Sequence, residues 1–306
     1  MISELLKQKL EIIINEKIST INQINSGYSR KVFVLNDRYI LKVVIDSKKD
    51  NSTINEINFL LNNDLSFTSN IIFSDNTKNQ FPFVYYLEEK IDGESLLLKW
   101  PLLKKCEKEV ILKQLLKYLE ELHTYKYIRK FKNSALSSLI DTYDKYMNEI
   151  IESDILTDKK IAYLQELKNV IYTLFKDAKV GLIHGDLHFN NVLLNSRNQI
   201  VLIDFENIEK SFIEKEFDPI SRMSRNPNSF NLNSKIQLNS SNFNDIMNFI
   251  KTNIVEINTD KFDDRLLLFD CLNSLKWLKK YPKHKLYNEL LFESSMKLLK
   301  KYDIMR

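Results

Sequence analysis

The stretch LIHGDLHFNNVLLN, residues 182–195, sets two histidines, an aspartate and two asparagines between an apolar approach and an apolar exit. Leu182-Ile183 and Val192-Leu193-Leu194 are apolar enough to be buried, so the polar residues between them must occupy a loop held at both ends by core. A further apolar run, QIVLIDF at 199–205, follows across Asn195-Ser196-Arg197-Asn198, a turn at hairpin spacing. Such a hairpin is expected to bring Asp186, Asn191 and Asp204 toward one end of the same small sheet. Two carboxylates and an amide are hard oxygen donors that suit Mg²⁺ rather than zinc or copper. The histidines do not make a zinc site, since His184 and His188 have no further ligands at suitable spacing.

Magnesium points in turn to phosphate. An Asp, an Asn five residues later and a second Asp after an apolar strand is the order found in kinase active sites. In those sites the first Asp orients and deprotonates the acceptor hydroxyl, and the Asn and second Asp hold the metal.

The remainder of the chain is long enough to carry such a site on two lobes. Its 306 residues exceed the usual single-domain size, and 43% hydrophobic with 28% charged residues describes a soluble globular protein. The balance of 45 Lys and Arg against 41 Asp and Glu is too even for a nucleic-acid partner. No window approaches 18 uncharged apolar residues, and the N-terminus MISELLKQKLEIIINEKI is charged throughout, so neither a signal peptide nor a membrane partner is expected. Cys106 and Cys271 are isolated, as suits a reducing cytoplasm, and a monomer is expected.

Along the chain, Ile2, Leu5, Leu6, Ile13 and Ile14 predict an amphipathic helix. KVFVLNDRYILKVV reads as a hairpin turning at Asn36-Asp37-Arg38, and TINEINFLLNND as a helix from about Thr53. Extended segments are expected at 70–73 and 81–87. After a polar turn at Asp92-Gly93, helical periodicity runs over 102–123, 136–151, 159–175 and the last 65 residues. The expected lobes are therefore 1–89 and 90–306. Residues 226–244, rich in Asn and Ser, predict a long exposed loop.

HGDLHFNN followed by IDFE resembles the catalytic loop of the aminoglycoside phosphotransferase/choline kinase family, in which the loop reads His-Gly-Asp-x-x-x-x-Asn. Here those positions are His184, Gly185, Asp186 and Asn191, with Asp204 following. The lobe order and LEELH at 119–123 also look like the family; the last 80 residues carry no motif that matches it. The resemblance implies an α+β, two-lobed protein-kinase-like fold with a small β-rich N-lobe and a larger, mainly helical C-lobe. It also implies transfer of the γ-phosphoryl group of ATP or GTP, with Mg²⁺, to a hydroxyl of a small molecule. Asp186 would be the base, and Asn191 and Asp204 the metal ligands.

On the nucleotide side, NSGYSRKVFVL places Gly27 and Ser29 in a turn before a strand, where N–H groups and a hydroxyl can meet phosphate oxygens. It has one glycine where protein kinases have three. Lys42 lies between apolar neighbours on a strand and needs an anionic partner if that face is covered. In the family the equivalent lysine contacts phosphates and pairs with a helical glutamate, for which Glu56 is the candidate. Thr53 and Glu56 also form the pattern of a capping box. The nucleotide base is expected against the linker at 86–89, including Glu88, mostly through backbone groups.

His184 reads as a brace of the loop backbone and His123 as a buried or half-buried histidine. His188 has two readings, a substrate contact or a second brace. Glu206, where protein kinases have glycine, is a metal or substrate contact or a surface charge. Asp218-Pro219 looks like a helix N-cap. The acceptor is less constrained. Residues 231–306 hold 13 Lys and Arg against 9 Asp and Glu, no acidic surplus for a polycation, although Asp263, Asp264 and Asp270 can form a local cluster. Family membership ranks an aminoglycoside-type antibiotic first, ahead of choline or ethanolamine, sugars and nucleosides. A pseudokinase acting through protein partners is the rival of a different class, and a protein kinase is disfavoured by the single-glycine loop.

Overall fold

In the computed structural model, residues 2–24, 30–126, 134–153, 155–231, 235–255, 259–282 and 285–302 are described. The strands among them are β1 (Ile21–Ile24), β2 (Arg30–Leu35), β3 (Tyr39–Val44), β4 (Ile71–Asp75), β5 (Tyr85–Glu89), β6 (Gly93–Ser95), β7 (Val180–Ile183), β8 (Val192–Asn195), β9 (Ile200–Leu202) and β10 (Glu209–Phe212). The α-helices are α1 (Glu4–Ile14), α2 (Asp50–Asn62), α3 (Leu96–Lys99), α4 (Lys105–Thr124), α5 (Ala135–Glu152), α6 (Asp158–Phe175), α7 (Asp218–Arg225), α8 (Ile246–Asn253), α9 (Phe262–Lys280) and α10 (Lys285–Lys301). By packing the chain forms two units, Met1–Leu115 with His188–Ile208, and Leu116–Leu187 with Glu209–Arg306. The fold is the two-lobed, protein-kinase-like α+β class that the motif implies.

In the first unit an antiparallel sheet runs β1-β2-β3-β5-β4. Its β2–β3 hairpin turns at Asn36 and Asp37, both with positive φ, a conformation these two residue types tolerate. Period-two alternation splits the apolar side chains between the two faces. Phe33, Leu35, Leu41, Tyr85 and Leu87 pack with Leu6 and Leu10 of α1, while Val44 and Tyr86 pack with Ile57 of α2. Both faces being covered, a charged side chain on either needs a partner. α1 is started by the Ser3 hydroxyl, which accepts from the Leu6 N–H, and stopped by Asn15 at φ 51°.

The lobe boundary expected at residue 89 coincides with the end of β5. The first unit nevertheless runs on to Leu115 and takes in the loop hairpin, because β6 pairs with β8 and β8 with β9. The expectation that Asp186, Asn191 and Asp204 come to one end of the same small sheet is met for Asn191 and Asp204 and not for Asp186. β7 pairs instead with β10, in the second unit, and the loop at 184–191 joins two separate sheets.

The second unit is built on α9, whose Leu268, Cys271, Leu272, Leu275 and Leu278 share a core with Tyr143 and Met147 of α5, Leu167, Ile171 and Leu174 of α6, and Leu291 and Leu298 of α10. Arg265, 1% exposed, is tolerated there because Glu214, Asp177 and the Leu174 carbonyl take its donors. At Gly181 in β7 a Cβ would lie 2.8 Å from the His123 carbonyl oxygen and 3.0 Å from the His123 Cβ. Gly181→Ala is therefore expected to cost about 1–3 kcal/mol by overpacking, measured by denaturant unfolding.

Candidate active site

Within the first unit the hairpin register places Asn191 beside Asp204. Val192 pairs with Leu202, and the Ile203 N–H donates to the Asn191 carbonyl at 3.0 Å, so Asn191 and Asp204 share one hairpin end. Asn191 is 8% exposed. Asp204 leaves the strand at φ 67°, ψ 62° and opens a 3-10 turn over Phe205–Asn207. A left-handed aspartate is costly and persists where its surroundings fix it. Here Phe205 is fully buried with its ring 4.9 Å from that of Phe59 in α2. The Asp204 carboxylate itself stays 41% exposed.

Lys42 lies on β3 opposite Tyr86 of β5. Its Nζ is 2.9 Å from Glu88 Oε1 and 3.7 Å from Glu56 Oε1, and 5.1 Å from the centre of the Tyr86 ring. Glu88 Oε2 accepts from the Ser69 hydroxyl at 2.7 Å. Burial opposes the charge on Lys42, but Glu88, Tyr86, Glu56 and Asp204 more than offset it and its pKa is raised. The helical glutamate expected to pair with Lys42 is thus its longer contact. Glu88, on the neighbouring strand and the same face, comes closer. Glu56 is fully buried, and its Oε2 accepts from Arg30 at 2.7 Å. α2 begins at Asp50 with Lys49 as its N-cap, so Thr53 and Glu56 lie in the helix body and form no capping box.

Arg30 is the residue that sequence reasoning missed on this side. At the start of β2 and 7% exposed, it meets Glu56, the Asp204 carboxylate at 3.5 Å, and Glu206. Lys49 Nζ also lies 3.5 Å from Glu206 Oε1, so Glu206 is a partner of two cations and only 17% exposed. Gly27 and Ser29 lie outside the described residues, as does His284.

The other half of the loop belongs to the second unit. β7 delivers His184, Gly185 and Asp186, and fully buried Glu216 accepts from the N–H groups of His184 at 2.7 Å and Gly185 at 3.4 Å. Gly185 takes φ 81°, where a Cβ would be strained. The buried His184 ring accepts from the Asp186 N–H through Nδ1 at 3.4 Å, the bracing role expected of it. His123 Nε2 is 3.7 Å from Glu216 Oε2. Asp186 is half-buried. Glu216 is the second residue missed from the sequence; it lies in a short 3-10 segment, Ile213–Phe217, with no periodic signal.

Asp218 is the first residue of α7, not its cap, which is Phe217. Arg222 holds its carboxylate at 3.0 Å, and burial raises its pKa. His188, half-buried, supplies the carbonyl that accepts from the Asn191 N–H at 2.8 Å. Asp270 is bound by Arg225 at 2.7 Å, Asp263 by Lys251, and Asp264 by Lys301 and the Tyr302 hydroxyl. Each carboxylate of the expected acidic cluster is therefore already neutralised by a cation.

Among the described residues no three His, Cys, Asp or Glu side chains are grouped to hold a metal by themselves. Asn191 and Asp204 suit an ion that keeps water and takes its other ligands from phosphate. The ion pairs around them join Arg30, Lys42 and Lys49 to Glu56, Glu88, Asp204 and Glu206, one carboxylate more than the cations. That imbalance also fits an incoming cation.

The sequence pattern of the phosphotransferase enzyme family matches residues 20–213, more than half of the chain. The curated proteins compared contain no match. Among solved structures, the ternary complex of streptomycin, ATP and APH(2'')-IIa is similar with a TM-score of 0.67 and 15% identity over 98% of this chain and 97% of that one. The GDP complex of wild-type aminoglycoside 2'-phosphotransferase-IIIa gives 0.68 and 14%, over 96% and 99%. A thermostable mutant of aminoglycoside phosphotransferase APH(4)-Ia with ADP and hygromycin B gives 0.64 and 12%, over 95% and 98%. At these identities the likeness establishes the fold.

Proposed function

The chain belongs to the phosphotransferase enzyme family, and from that premise we propose that it transfers the γ-phosphoryl group of ATP or GTP to a hydroxyl of a small molecule. The observation that carries this reading is the hairpin end shared by Asn191 and Asp204, in the same unit as the buried cation Lys42. Asp186 accepts the proton of the attacking hydroxyl and orients its oxygen. Lys42 steadies the phosphates, kept cationic by Glu88 and Glu56. Asn191 and Asp204 would hold Mg²⁺, which when bound would supply charge neutralisation on the transferred phosphate. Glu216 sets the backbone of the loop that presents Asp186. Most of the rate enhancement then comes from positioning and electrostatics.

An aminoglycoside-type antibiotic is the first acceptor to test, because the similar solved structures hold streptomycin and hygromycin B. The cationic partners of Asp263, Asp264 and Asp270 weigh toward a less cationic acceptor, so choline, sugars and nucleosides belong in the same panel. No helix among the described residues is long and apolar enough to cross a membrane.

The test is a screen of aminoglycosides, choline, ethanolamine, sugars and nucleosides with Mg²⁺ and either ATP or GTP. Acceptor-dependent nucleotide consumption is expected in the wild type and background consumption in Asp204→Ala. Nucleotide binding without consumption under every condition would favour the pseudokinase.

A further inference from the structure

Arg30 joins three parts of the first unit that lie far apart in sequence. Its guanidinium bonds Glu56 of α2 at 2.7 Å and Glu206 of the 3-10 turn, and lies 3.5 Å from Asp204 Oδ1. Burial works against its charge, and Glu56, Tyr86, Asp204 and Glu206 more than offset it, so Arg30 remains a cation. The planar fork of an arginine can serve several carboxylates in different directions, whereas a lysine is a single point of charge. The longest of the three contacts is the one to Asp204, the half-exposed carboxylate in left-handed backbone.

We propose that Arg30 is a positioning residue for Asp204: anchored by Glu56 and Glu206, it fixes the 204–207 turn on α2 and leaves Asp204 Oδ2 for a divalent cation. This rests on the reading of Asp204 as a metal ligand. It gives Glu206 a definite role, the anchor of Arg30 instead of a contact to substrate. It also adds Arg30–Glu56 to the expected Lys42–Glu56 pair as a tie between the nucleotide sheet and α2. If Arg30 merely competed with the metal for Asp204, removing its charge would tighten metal binding. A positioning role predicts the opposite.

The full chain is compared as wild type, Arg30→Lys, Arg30→Met and Glu206→Gln. Mn²⁺ is titrated in saturating ADP and followed by the EPR signal of the free ion; ADP binding without metal and thermal melting are measured beside it. Arg30→Lys keeps a cation among the carboxylates and so guards against loss of the fold. Arg30→Lys and Glu206→Gln are each expected to weaken Mn²⁺ binding by about 10-fold, the scale of a lost support to a metal ligand, with metal-free ADP affinity within about twofold of wild type. Arg30→Met is expected to weaken it further. Wild-type Mn²⁺ affinity in Arg30→Lys and Glu206→Gln would overturn the proposal, as would tighter binding in Arg30→Met. Parallel loss of metal-free ADP binding would make Arg30 a phosphate ligand and overturn it too. A wild type that binds no Mn²⁺ with ADP would overturn this together with the metal-site reading.

Discussion

Replacing Asp186 by alanine is expected to lower phosphoryl transfer by roughly 10²–10⁴-fold, the scale of a lost general base. Asp186 is half-buried, and the loop around it is held by backbone N–H groups on Glu216 and on His184. Those bonds do not need the Asp186 side chain. Stability should therefore stay within about 0.5 kcal/mol of wild type. Lys42, Glu88, Asn191 and Asp204 are all untouched, so nucleotide affinity should be retained. The fall should appear equally in kcat and in kcat/KM for the acceptor, as for an interaction made in the transition state. Near-normal turnover in this variant would refute the assignment of the base.

The second large effect is structural in origin. Glu216 is fully buried and takes the N–H groups of both His184 and Gly185. Glu216→Ala removes both acceptors, one of them from a fully buried bond, and an orphaned buried donor costs about 1–3 kcal/mol. A loss of about 2–5 kcal/mol is expected in denaturant unfolding, with turnover falling as the loop before Asp186 loses its register. Glu216→Gln keeps one acceptor oxygen and should lie between alanine and wild type in both readouts. A melting curve for Glu216→Ala that matches wild type would show that the loop is held by other contacts.

The elements that the sequence displays best are those whose pattern is local. The β2–β3 hairpin shows its alternation and its Asn36-Asp37 turn, and α4, α5 and α6 fall close to the predicted periods. α2 starts three residues before the predicted Thr53, because Asp50 to Ser52 carry no apolar period. β10 was invisible for a similar reason: Glu-Lys-Ser-Phe becomes a strand only because β7 offers an edge to it. In the stretch at 226–244, asparagines substitute for regular backbone pairing. Asn228 bonds both the N–H and the carbonyl of Leu238 at 2.8 Å, tying the short 3-10 turns Pro227–Phe230 and Ser240–Phe243 into one segment.

Within the candidate site, the polar residues of the loop stand out in the sequence, whereas the partners that surround them do not. HGDLHFNN and IDFE name Asp186, Asn191 and Asp204 because the loop chemistry is compact in sequence. Lys42 shows only that an anion is needed. Glu56 and Glu88 both qualify, and strand register decides for Glu88, since charge interactions fall with distance. Arg30 follows Gly27 by three residues in sequence and looks like any strand-end charge, although three carboxylates converge on it from Glu56, Asp204 and Glu206. Long-range ion pairs of this kind have no periodicity to betray them.

If this chain moves a phosphoryl group onto a small-molecule hydroxyl, the phosphorylated product itself is the clearest readout. ³¹P NMR would follow ATP or GTP with Mg²⁺ and a mixture of aminoglycosides, choline, sugars and nucleosides, with wild type and Asp186→Ala in parallel. A new phosphomonoester resonance is expected to grow as the γ-phosphate signal falls, in the wild type and not in the variant. Nucleotide that stays intact with wild type, or a phosphomonoester formed equally fast by Asp186→Ala, would contradict it.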